Sequence, residues 1–142
     1  MKASKPKVYL DSTCFIDMAK HEAKILDNAG RANDVWHLKK LLEAHRAKEV
    51  EVFTSIISVS ECVAIEQGQR QVPEETKEYF RRLLISGQYV VLIQPTPFVA
   101  ERSQNLRWDH EIVLTGADAM HVASALARIS QTTGCIGAEN LG

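Results

Sequence analysis

Apolar positions along this chain follow two rhythms, short unbroken runs and stripes of helical spacing. Val8-Tyr9-Leu10 is a short run of the first kind, the pattern of a strand buried on both faces. A short helix is predicted from about Cys14 to Lys20, and residues 27–33, DNAGRAN, read as a loop. Val35, Trp36, Leu38, Leu41 and Leu42 then recur at helical spacing, with Lys39, Lys40, Glu43 and Arg46 on the other face. Val50 to Phe53 is rich in strand formers. A third helix is predicted over Ile57–Glu66, closed by Gly68. Pro73 followed by Glu74 and Glu75 opens another, with proline in the first turn and acids at the positive end of the dipole. Its stripe is Tyr79, Phe80, Leu83 and Leu84, and Gly87 ends it. Tyr89–Ile93 is a further strand, after which Pro95 and Pro97 lead into a helix. The last long helix starts near Thr115 and carries Met120, Val122, Ala123, Leu126 and Ile129. Gly134 and then Cys135-Ile136 open one more strand.

Helices and short buried strands therefore alternate from end to end. That pattern predicts an α/β fold with a parallel sheet of about four to five strands and helices on both faces. With 142 residues and no repeat, linker or low-complexity stretch, residues 1–142 are expected to form a single domain. Ligands of such sheets bind beyond the carboxyl ends of the strands. Asp11 stands at such an end, followed by Ser12 and Thr13. A carboxylate there is costly unless a turn, a basic side chain or a metal ion compensates it.

The formal net charge of −1 lowers the expectation of a non-specific duplex binder, although bound divalent ions can supply positive charge to a nuclease. Cys14, Cys62 and Cys135 form no CxxC pair, so a zinc knuckle or redox dithiol is not expected. They read as small buried hydrophobes of a reducing compartment. MKASKPK precedes too short an apolar run for a signal peptide, and no stretch reaches membrane-span length. The expectation is a cytoplasmic protein.

Two further acids sit like Asp11. Glu61 lies in TSIISVSEC just beyond the second strand, at the start of the third helix. Asp118 lies in LTGADAMHVASAL at the start of the last long helix. Each has an ordinary structural role open to it. Asp11 suits an Asx-type turn, and Ser58-Val59-Ser60-Glu61 and Thr115-Gly116-Ala117-Asp118 have capping-box form. Their joint placement argues for more, because such positions gather on one rim of the sheet. Gathered carboxylates repel, and a hard cation such as Mg²⁺ or Mn²⁺ resolves that repulsion. Carboxylate-held Mg²⁺ suits water activation at a phosphodiester. No P-loop, GxSxG or HExxH is present, and Thr13 stands where a DxD phosphatase needs its second acid. His121, one helical turn beyond Asp118, reads first as a packed or hydrogen-bonded histidine.

VYLDSTCFID, SIISVSECVA and GADAMHVASAL, in that order and spacing, resemble the three motifs of the PIN-domain family. The resemblance runs from residue 7 to about 136, and the short single-domain form looks most like the VapC ribonuclease toxins of toxin–antitoxin systems. It implies a PIN-like α/β domain and a Mg²⁺- or Mn²⁺-dependent endoribonuclease acting on RNA. Asp11, Glu61 and Asp118 would be its catalytic and metal-binding acids, and Thr13 would hydrogen-bond and orient Asp11. It also implies a homodimer and a VapB-like antitoxin as partner. The family commonly carries a fourth acid after the last strand. Here the chain reads GCIGAENLG, and Glu139 is the acid in reach. The rival is a catalytically incomplete PIN-fold module that binds RNA or protein without turnover. Arg81, Arg82, Arg102, Arg107 and Arg128 are candidates for the RNA backbone, or a solvated helix face. Trp36, Tyr79 and Phe80 are expected as core or dimer contacts.

Overall fold

The computed structural model describes residues 4–133, with side chains described to residue 129. Its sheet has three strands among the described residues, β1 (Lys7–Tyr9), β2 (Glu51–Ser55) and β3 (Val91–Ile93), in the order β1-β2-β3. β1 and β2 run parallel with Lys7 opposite Glu51, Val8 opposite Val52 and Tyr9 opposite Phe53. The Leu10 N–H extends this ladder to the Phe53 carbonyl at 3.0 Å. The strand expected at Cys135-Ile136 lies outside the described residues. Tyr89 and Val90 were expected in the third strand but precede β3. Central β2 buries Val52, Phe53, Thr54 and Ser55. Tyr9 meets Phe53 edge-on, with ring centroids 5.4 Å apart.

The described chain forms two compact units. The first, built from residues up to Thr54 and from Ser58 to Leu92, holds the sheet and four helices, α1 (Ser12–Glu22), α2 (Ala29–Arg46), α3 (Ile57–Glu61) and α4 (Glu74–Leu84). Its core joins Leu10, Phe15, Met18, Val35, Leu42, Val52, Tyr79, Phe80, Leu83 and Leu84. α1 packs on both α2 and α4. Tyr79 and Phe80 are core residues, as expected. Trp36 is exposed, with the Lys40 ammonium 5.5 Å from its ring centre.

Two helix boundaries depart from the sequence pattern. The expected loop over 27–33 is mostly helix, because Asn28 caps α2. Its Oδ1 accepts the N–H groups of Gly30 and Arg31, two of the donors a helix start leaves unpaired. In the other direction, the helix expected over 57–66 stops at Glu61. Its serines and β-branched residues are weak helix formers, and Val63 is left exposed beyond it.

The second unit comprises residues 55–57 and those from Ile93 onward. It contains α5 (Pro97–Asp109) and α6 (Gly116–Thr133), which pack on each other. Thr96 caps α5 by accepting the Val99 N–H at 3.2 Å. α6 buries the small side chains Ala119, Ala123 and Ser124 completely. Small residues let neighbouring backbone approach closely, and the buried Ser124 hydroxyl has no hydrogen-bond partner among the described residues.

Candidate active site

Asp11 follows the carboxyl end of β1 and is the N-cap of α1. Its backbone is extended, at φ −87° and ψ 178°, and its Oδ1 accepts the Thr13 N–H at 3.1 Å. The ordinary role of a cap is therefore filled, while the residue stays exposed to solvent. The link from Thr13 to Asp11 is made by this backbone N–H, and the Thr13 residue is exposed.

Glu61 follows β2 and closes α3 rather than opening it. The turn that delivers it is held by a buried hydroxyl pair, Thr54 Oγ1 and Ser58 Oγ, 2.6 Å apart. Ser58 thus works inward in place of capping. The next residue, Cys62, is buried, and its Sγ lies 3.7 Å from the Ser12 carbonyl oxygen. That contact joins the end of α3 to the first turn of α1. The Cys62 thiol is pushed up to about 12, first by burial, then by the charges of Glu61 and Asp11. One thiol senses both acids, so the two carboxylates share one end of the first unit. Cys14 is also pushed up, chiefly by burial, then by Asp11, with Arg31 opposing.

Two charged residues of this end were not singled out in the sequence. Asp17 on α1 is buried, and its carboxylate is paired with the Arg31 guanidinium on α2, which also reaches Asp34 at 3.2 Å. The signal available was an acid inside the apolar stretch CFIDMA, although nothing in the sequence names its partner fourteen residues on.

Asp118 belongs to the second unit, in the first turn of α6. Its N–H donates to Thr115 Oγ1 at 3.1 Å, and the Ala119 N–H reaches the Thr115 carbonyl at 2.9 Å. Thr115 caps the helix as its capping-box pattern implied, and Asp118 is exposed. His121 is buried, in keeping with a packed histidine. Glu139 lies outside the described residues. Among the described residues, no three His, Cys, Asp or Glu side chains are grouped so as to hold a metal ion.

A family model for the PIN domain matches residues 8–131. The chain belongs to the PIN domain family. No curated protein and no solved structure matches it.

PIN domains are generally nucleases that use divalent metals, and their substrates are nucleic acids. The donor chemistry of this PIN domain suits such an ion. Asp11 and Glu61 offer carboxylate oxygens, the ligands that hard cations take. The nearby thiols of Cys62 and Cys14 are both pushed up, first by burial.

The arginines divide by partner. Arg81 is paired with Glu74 and Glu78 along α4, the solvated-face arrangement. Arg82 lies over the Tyr79 ring, and Arg107 donates to the Leu114 carbonyl. These three are occupied structurally. No helix among the described residues is long and apolar enough to cross a membrane.

Proposed function

We propose that this PIN domain is a Mg²⁺- or Mn²⁺-dependent endoribonuclease, acting as one domain with Asp11, Glu61 and Asp118 as its metal-binding acids. The observation that supports the reading is the placement of Asp11 and Glu61. They follow the carboxyl ends of two adjacent parallel strands, and their chain neighbours Ser12 and Cys62 touch, carbonyl oxygen to thiol, at 3.7 Å. That is the rim at which such sheets bind ligands. A divalent cation, when bound, neutralises phosphodiester charge and makes water a better nucleophile. The chain's own contribution is orientation: Asp11 is held by the Thr13 N–H, and Glu61 is set by the Thr54–Ser58 turn. The motif resemblance to the VapC ribonuclease toxins supports the finer reading of a toxin, homodimeric and silenced by a VapB-like antitoxin, in the cytoplasm. Thr13 then serves as the residue that orients Asp11, with Glu139 as the fourth acid.

The test is cleavage of a mixed RNA pool by the purified chain, with and without Mg²⁺ or Mn²⁺. Metal-dependent cutting that disappears in Asp118→Asn and Glu61→Gln supports the reading. Full activity of Asp118→Asn would sink the assignment of that acid. The helix-cap hydrogen bond of Asp11 and the Thr115 cap beside Asp118 give these acids ordinary structural roles, which favours a second reading, a PIN-fold module that binds RNA or protein without turnover. Binding of RNA without cutting in any metal selects it.

A further inference from the structure

A groove of about 600 Å³ opens at the other end of the same sheet. Lys5, His45, Arg46, Lys48, Glu51 and Gln88 are among its lining residues. Lys5 precedes β1, Lys48 precedes β2, and Gln88 precedes β3. The groove therefore sits at the amino ends of the strands, whereas Asp11 and Glu61 follow the carboxyl ends of β1 and β2.

Its charge is uneven. Three permanent cations, Lys5, Arg46 and Lys48, face one carboxylate, Glu51, in a chain whose formal net charge is −1. Among the described residues, no ion pair engages any of the three. Two lining groups are held in place. The Arg46 guanidinium lies 5.2 Å from the Tyr89 ring centre, with Nη1 3.4 Å from its hydroxyl. His45 Nδ1 accepts the Val52 N–H at 3.0 Å, so in the neutral ring the proton sits on Nε2, which becomes a donor. Lys48 occupies a left-handed position, φ 63°, just past the C-cap of α2, where glycine is the usual residue. A lysine there keeps a strained backbone and adds an ammonium to the groove lip.

We propose that this groove binds the phosphate backbone of single-stranded RNA, remote from the acids. A held Arg46, two exposed lysines and a histidine ring spread along an open groove suit successive phosphates better than a compact ligand. The choice of RNA rests on the nuclease reading above; the binding itself does not.

The experiment is fluorescence anisotropy with a labelled single-stranded oligoribonucleotide in EDTA, where no metal-dependent cutting occurs. The variants are Lys5→Ala/Lys48→Gly and, separately, Asp11→Asn. Lys48→Gly relieves the left-handed strain, so the double variant is expected to melt no lower than the parent, which separates binding from folding. The expected result is a roughly tenfold loss of affinity at low salt. The slope of log affinity against log salt should flatten by about 1.4, two contacts at ~0.7 each. Asp11→Asn should bind at least as tightly as the parent. Unchanged affinity and slope in the double variant would overturn the proposal. So would sedimentation with anionic phosphatidylserine vesicles in place of RNA binding. If the nuclease reading fails, Asp11→Asn cuts like the parent while the anisotropy result stands.

Discussion

Cys62 Sγ lies 3.7 Å from the carbonyl oxygen of Ser12, and the two residues are the chain neighbours of Glu61 and Asp11. A single contact between a thiol and a backbone oxygen thus ties the ends of two parallel-strand connections together. It also makes Cys62 a reporter of the charge beside it. Replacing either acid by its amide, in Asp11→Asn or Glu61→Gln, should lower the Cys62 pKa from about 12, because a like charge that opposes the thiolate is gone. Titration of ¹³Cβ-labelled Cys62 by NMR measures this. A midpoint that moves in neither case would dissolve the acid pair.

The same raised pKa sets the alkaline limit of stability. Cys62 goes from 9.0 to about 12 on folding, and Tyr79 from 10.0 to about 12 by burial. The folded state holds these protons longer than the unfolded chain does. Their contribution is complete below about pH 9 and is lost as pH climbs from there toward about 12. Urea denaturation at stepped pH should show stability falling through that window. Tyr79→Phe should flatten its upper part, from about pH 10 upward.

Asp11 has a capping role and a proposed metal-binding role, and substitutions can separate them. Asparagine caps helices about as well as aspartate, so Asp11→Asn keeps the acceptor for the Thr13 N–H and removes only the charge. Asp11→Ala removes both and should cost about 1 kcal/mol of stability. If the carboxylate holds the cation, the two variants should lose cleavage equally, by about 100-fold or more, while only the alanine variant melts early. Cleavage that survives in the asparagine variant would reduce Asp11 to a cap.

The Asp17–Arg31 pair is structural. The Asp17 side chain is 11% exposed and that of Arg31 40%, so one partner is desolvated and the other partly screened. Arg31→Met strands a buried carboxylate and should cost about 2 kcal/mol, less than a fully buried pair would. Asp17→Leu added to it should restore part of that loss. A strictly additive double variant in chemical denaturation would show that the two side chains act independently.

These residues also show what the sequence carries. Val8-Tyr9-Leu10 is readable as a strand because it is an unbroken apolar run, although β1 is only half-buried, and Val50–Phe53 because β-formers flank its one charge, Glu51. Strand-end acids are readable because a charge beside such a run needs a reason. The start of α2 was hidden because DNAGRAN has the composition of a loop, and only the fold shows Asn28 turned into a cap. The end of α3 was hidden because Val63 and Ile65 continue an apolar pattern that no helix follows. Asp17 and Arg31 meet across two helices, and the buried Thr54–Ser58 contact depends on how β2 turns into α3. Contacts of that kind have no period along the chain. The contact of Cys62 with Ser12, the neighbours of Glu61 and Asp11, is of the same kind.

The turn between α5 and α6 stores strain that a single substitution should release. Glu111 and Ile112 both have positive φ, 53° and 62°, and a β-branched side chain is poorly suited to that region. Arg107 holds the turn twice: its carbonyl accepts the Ile112 N–H, and its Nε donates to the Leu114 carbonyl at 3.1 Å. Ile112 is 60% exposed, so its side chain contributes little burial to set against the strain. Ile112→Gly should therefore stabilise the chain by about 1 kcal/mol, even after the added freedom of glycine in the unfolded state. Ile112→Ala keeps a Cβ at the same φ and should gain much less. Equal denaturation midpoints for the glycine and alanine variants would mean that the turn relaxes without strain. A loss in both would mean instead that the exposed isoleucine packs on something that holds the turn.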